Sequence, residues 1–113
     1  MSQQIGKKDA LAHPPLVPKK ILVLGIAPVF PEDIIDYAYN LAARLSYDVI
    51  VMNVDTQWEG RSFNKKTSSS TRKWKNKAAA DGIDCSFVIK KGDPLKAVEE
   101  LNRQEKRIEF VIA

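Results

Sequence analysis

The sequence predicts an α/β domain built on an open parallel sheet, and three observations carry that prediction. Ile21, Leu22, Val23 and Leu24 are apolar in succession, as are Val49 to Met52, whereas a half-exposed strand would alternate. Segments with apolar residues at helical spacing lie between and after these runs. Four strand-like segments thus alternate with three helix-like ones, which is the pattern of parallel strands joined by right-handed crossovers.

Length and composition agree with one ordinary domain. The chain has 113 residues, 44% hydrophobic and 28% charged, enough for a single core without staples. No apolar run reaches the roughly 18 residues needed to span a bilayer, and no signal-peptide core opens the chain. A cytoplasmic protein without a membrane partner is expected. One cysteine, Cys85, excludes an internal disulfide and a cysteine metal cluster, and no metal site is expected.

Residues 1–18 contain Pro14, Pro15 and Pro18 and show no sustained apolar period, so they are expected to form a flexible arm before a domain over 19–113. His13, the single histidine, falls in that arm. The first strand follows, within Lys19 to Phe30. A helix is predicted over Glu32 to Ser46, with Ile34, Ala38, Leu41, Ala42 and Leu45 as its apolar face and Glu32 and Asp33 at its dipole-favoured start. Asp48 to Val54 is the second strand. From Gln57 to Ser70 the chain is polar, serine-rich and basic, which predicts a surface loop.

A helix over Thr71 to Asp81 comes next, with Trp74 and Ala78 facing the sheet and Gly82 ending it in the left-handed conformation. Ile83 to Lys90 is the third strand, with Cys85 read as a small buried thiol rather than a redox sensor. Lys91-Gly92-Asp93-Pro94 is the clearest local signal: Asp93 suits an N-cap and Pro94 the first helical position. Leu95, Val98 and Leu101, with Ala97, give the last helix its apolar face to about Gln104. Arg107 to Ala113 is the fourth strand, in which Ile108, Phe110 and Ile112 are predicted to share one face.

From Lys19 onward the sequence resembles the first three quarters of a universal stress protein domain. The matching pieces are KKILVLGI, the helix LAARL feeding VIVMNV, the turn AAADGI leading into CSFVIKKGDPLKAVEEL, and the closing RIEFVIA. The resemblance implies a strand order of 3-2-1-4 with helices on both faces, as in adenine nucleotide alpha hydrolase-like folds. It also implies a role in the stress response. In that order chain direction reverses between strands 1 and 4, and ligands of such sheets bind beyond the carboxyl ends there. Gly25 to Pro28, Asn53 to Asp55 and Gly92 are the expected lips.

The resemblance further implies an ATP site lined by Gly25, Ile26, Val54 and Gly92. Two departures argue against tight binding. Ile26 stands where the family carries an acidic residue, and the family's glycine-rich phosphate loop would follow strand 4, where this sequence stops at Ala113. No other phosphate-binding glycine motif replaces it. The expected reading is therefore a non-enzymatic regulatory or interaction module without a cofactor. Adenine-nucleotide sensing is its alternative, and a protein partner fits the same reading.

A second alternative rests on charge. Arg61, Lys65, Lys66, Arg72, Lys73, Lys75 and Lys77 lie in one region without an acidic residue, interleaved with Phe63 and Trp74 and preceded by Trp58. Lys65, Lys66, Arg72 and Lys73 are the anion-binding candidates, for which a nucleic acid is not the first expectation because no nucleic-acid motif accompanies them. Finally, strand 4 at the sheet edge predicts a homodimer paired there through Ile108, Phe110 and Ile112.

Overall fold

The computed structural model describes residues 18–113, so residues 1–17 of the proposed arm, His13 among them, lie outside the described residues. Four strands form one sheet: β1 (Lys20–Gly25), β2 (Asp48–Asp55), β3 (Cys85–Lys91) and β4 (Ile108–Ile112). All pairings are parallel and the order is β3-β2-β1-β4. Three helices connect them in sequence: α1 (Glu32–Leu45), α2 (Arg61–Ala80) and α3 (Pro94–Gln104).

The central strands are apolar on both faces because both faces are covered. Ile21, Val23, Val49 and Val51 pack with Ile35, Ala38, Tyr39 and Ala42 of α1 and with Trp74 and Ala78 of α2. Leu22, Ile50, Met52 and Val54 turn the other way and pack with Ala97 and Leu101 of α3. Two crossovers in one direction therefore put α1 and α2 on one face, and the reversal puts α3 on the other, as right-handed connections require.

Three expectations need correction. The region from Arg61 to Ser70 is not a loop: α2 starts ten residues earlier than its apolar spacing suggested and runs for 20 residues. Its buried stripe is Phe63, Thr67, Trp74 and Ala78, and one member is a threonine. Thr67 is buried because its hydroxyl donates to the Pro28 carbonyl at 2.8 Å, so a polar residue occupies a core position without an unpaired group. In the serine-rich stretch Ser70 Oγ and Thr71 Oγ1 likewise find an acceptor within the helix, donating to the Thr67 carbonyl at 3.1 and 2.7 Å.

The second correction concerns helix faces. On α1 the fully buried residues are Ile35, Ala38, Tyr39 and Ala42, with Ile34 and Leu41 partly buried against the same core, so the expected face gains Ile35 and Tyr39 and loses only Leu45, which is exposed. Tyr39 is admitted because its hydroxyl donates to the Trp74 carbonyl at 2.9 Å. On α3 Leu95 is exposed, and Ala97 and Leu101 are the buried pair. Leu95 sits in the first turn, its backbone amide bonded to the Asp93 cap and its side chain exposed.

The third lies in β4. Ile108 pairs with Lys20 but Phe110 pairs with Ile21, so Glu109 is an extra residue, a bulge. The bulge inverts the alternation. Ile108 therefore packs with the α3-side cluster while Ile112 packs with the α1-side cluster, and Ile108, Phe110 and Ile112 do not share a face. Phe110 lies on the α1 side, stacked on Tyr47 with ring centroids 5.9 Å apart.

Candidate functional site

The carboxyl ends of β1 and β2 are organised by two polar residues that close an otherwise apolar strand. Asn53 and Asp55 are both buried. The Asn53 side-chain amide donates to the Ala27 carbonyl at 2.9 Å and to that of Pro28 at 3.4 Å, tying the β1–α1 loop to β2. Thr67 reaches the same Pro28 carbonyl from α2, so one loop is held from two elements.

Asp55 holds the other loop. Its Oδ1 accepts the Glu59 amide at 3.0 Å and its Oδ2 the Gly60 amide at 2.8 Å. Burial pushes this carboxyl up, but the amides of Glu59, Gly60 and Gln57, with Lys91 nearby, outweigh burial and hold it below the usual range. Asp55 thus fixes the entry to α2, where Gly60 has a φ of 67° that an L side chain would strain and no side chain caps the helix. The Asp55 carbonyl also accepts the Gly92 amide at 3.1 Å, joining the loop after β3 to the same centre. Sequence reading placed both residues at the lip but missed their role. The signal available was two hydrogen-bonding residues two apart at the end of an apolar strand.

The four residues expected to line a nucleotide site have separate environments. Gly25 lies beneath the Phe30 ring: a Cβ there would stand 2.5 Å from a ring carbon, so the glycine is needed for packing. Ile26 is 62% exposed in the following loop. Val54 is fully buried in the α3-side core. Gly92 lies against Trp58, whose ring would be 3.8 Å from a Cβ at that glycine.

The basic region divides into two sides of one helix. Lys73 forms an ion pair with Glu32 of α1 at 2.7 Å, and Lys77 lies 3.6 Å from Asp36 and 3.7 Å from Asp81. The hydrogen bond to Lys73, reinforced by its charge, lowers the Glu32 pKa. Lys66 shares their side by spacing. Arg61, Lys65, Arg72 and Lys75 fall on another side, along two shallow depressions that meet at Ser68. The first, about 480 Å³, is lined by Gly60, Arg61, Asn64, Lys65, Ser68 and Lys91; the second, about 280 Å³, by Ser68, Thr71, Arg72 and Lys75. The four anion-binding candidates are therefore split, Lys65 and Arg72 on the open side and Lys66 and Lys73 toward α1.

Cys85 is partly buried, with its Sγ 3.4 Å from the Tyr39 hydroxyl oxygen. Burial raises its thiol to about 11, so it is protonated and a poor nucleophile at neutral pH. Among the described residues no group of three or more His, Cys, Asp or Glu side chains is placed to hold a metal, and no helix is long and apolar enough to cross a membrane.

The class defined by this geometry is an open, all-parallel α/β sheet whose loops after β1, β2 and β3 are tied together at the carboxyl end of β2. Within that class the fold is that of the universal stress proteins. A crystal structure of a protein from the universal stress protein family from Burkholderia pseudomallei superimposes with a TM-score of 0.56, covering 74% of this chain and 73% of that one at 15% identity. No protein-family model and no curated protein sequence matches the chain.

Proposed function

We propose that the protein is a non-enzymatic binding module of the universal stress protein type, acting in a stress response through a macromolecular partner. One observation carries this reading. The polar groups at the carboxyl end of the sheet, the place where such folds receive small ligands, are consumed by the chain's own loops: Asn53 by Ala27 and Pro28, Asp55 by Glu59 and Gly60. A nucleotide would have to displace those bonds while gaining nothing from the Ile26 side chain. The raised Cys85 thiol and the pairing of Glu32 and Asp36 with lysines support the absence of catalysis. Calorimetric titration with magnesium ATP tests it. The expected outcome is no binding tighter than about millimolar, worth about 4 kcal/mol, and no turnover; a micromolar constant or phosphate release would refute the reading.

Self-association is a second element of the proposal, supported by β4. It is an edge strand with Phe110 45% and Val111 53% exposed on opposite faces of the sheet. Two copies pairing antiparallel along β4 satisfy both edges and cover part of that apolar surface. Light scattering over a concentration series should show a dimer that Phe110→Lys weakens. A monomer at every concentration defeats it.

A further inference from the structure

The open side of α2 is a continuous basic track. Arg61, Lys65, Ser68, Arg72 and Lys75 recur at i, i+4, i+7, i+11 and i+14, a spacing that keeps them on one side of a helix over about 20 Å. Among the described residues no carboxylate lies within 4.0 Å of the charged ends of Arg61, Lys65, Arg72 or Lys75, in contrast to Lys73 and Lys77 on the α1 side. The charge is thus sorted by helix side, neutralised toward α1 and without carboxylate partners along the track, where Lys75 Nζ lies 5.9 Å from the Phe87 ring centroid.

The track ends at an aromatic platform. Trp58 is 68% exposed, the most exposed aromatic ring of the domain's loops. Its backbone is left-handed, with a φ of 55°, and its ring rests against Gly92 with Lys91 Nζ 6.0 Å from its centroid. Lys91 also lines the depression beside Arg61 and Lys65, so platform and track are contiguous. Apart from its contacts with Gly92 and Lys91 this ring stands in water at the head of the row of cations, with most of its surface free to meet a ligand.

We infer that this surface binds single-stranded nucleic acid, the phosphates following Arg61, Lys65, Arg72 and Lys75 and one base stacking on Trp58. A row of cations interspersed with the short polar side chains of Asn64, Ser68 and Thr71 fits contact with a sugar-phosphate backbone, and an exposed indole fits stacking on any base. An acidic polypeptide would use the cations but not the indole. The inference rests on the reading of the protein as a binding module and names its partner. The two fail separately: ATP turnover would refute that reading and leave an oligonucleotide isotherm as it is.

The test is fluorescence anisotropy of a labelled oligouridylate of about 12 nucleotides with the full chain. Four phosphate contacts predict that affinity falls about 50-fold between 50 and 200 mM salt. Trp58→Ala should weaken binding about tenfold, the loss of one stacked base. Combined Arg61→Gln, Lys65→Gln, Arg72→Gln and Lys75→Gln should abolish it, while the pair Lys73→Gln and Lys77→Gln should change it less than twofold, circular dichroism confirming that each variant is folded. No binding at 50 mM salt overturns the inference. So does equal weakening by the two sets of substitutions, or competition by polyglutamate as effective as by oligouridylate with no effect of Trp58→Ala, which would assign the track to an acidic polypeptide.

Discussion

Asp48 and Asp55 are the first and last residues of the same strand, and their carboxyls are displaced in opposite directions. At the amino end, burial and the neighbouring Asp84 raise Asp48, with Lys20 only partly compensating. At the carboxyl end Asp55 is more deeply buried, yet the amides of the β2–α2 loop hold it low. Burial alone does not decide what a carboxylate costs. The number of N–H donors aimed at it does, and here the donors belong to a loop that the carboxylate itself organises.

The largest effect that would break this comparison is loss of the Asp55 carboxylate. Asp55→Ala removes the acceptor that the Glu59 and Gly60 amides share and frees the start of α2, so its melting temperature should fall further than that of Asp93→Ala. Asp93 caps α3 through the Leu95 amide at 2.9 Å, and its removal should cost about 1 kcal/mol, a common value for an exposed cap. Hydrogen exchange should show the difference in kind, with Asp55→Ala accelerating residues 61–64 and Asp93→Ala only the first turn of α3. Equal and small losses for both would mean that the β2–α2 loop holds itself.

Acid titration sharpens the comparison further. Because the folded pKa of Asp55 lies below its ordinary value of 3.8, its contribution is complete above that pH and is lost as pH falls through the folded value. Asp48 is raised, so its ionised form opposes folding at neutral pH, and that penalty disappears as pH falls from its folded pKa toward 3.8. Urea melts from pH 7 to 3 should therefore lose a component in Asp55→Asn and lose the opposite component in Asp48→Asn. The smallest expected effect is Asp48→Asn at pH 7, a stabilisation of less than about 1 kcal/mol because the site is partly solvated. Destabilisation there would show that Lys20, not Asp84, dominates at that end.

The same contrast explains which parts were legible in the sequence. The start of α3 is written locally: Asp93 and Pro94 adjoin the helix they begin, and both were read correctly. The start of α2 is written at a distance, since Asp55 acts on amides four and five residues later while the residue beside the helix is an uncapped Gly60. Thr67 concealed the rest. A stripe containing threonine scores as polar until its acceptor on another element, Pro28, is known. The sheet order was legible through family resemblance and the crossover rule, whereas the Glu109 bulge depends on pairing between strands and leaves no mark in β4 alone. For the basic region, composition named the residues but not their sorting, which follows from which helix α2 lies against.

The bulge in β4 bears on solubility. An edge strand in perfect register is a template on which copy after copy can polymerise, each newcomer presenting the same free backbone to the next. Glu109 interrupts that template one residue after the strand begins and adds a carboxylate, 3.4 Å from Arg107, at the interruption. Only Phe110 to Ile112 remain as an unbroken run beyond it, shorter than the segments of about six or seven residues that typically build fibres. Deleting Glu109 would regularise the edge and lengthen the run of free backbone that it presents.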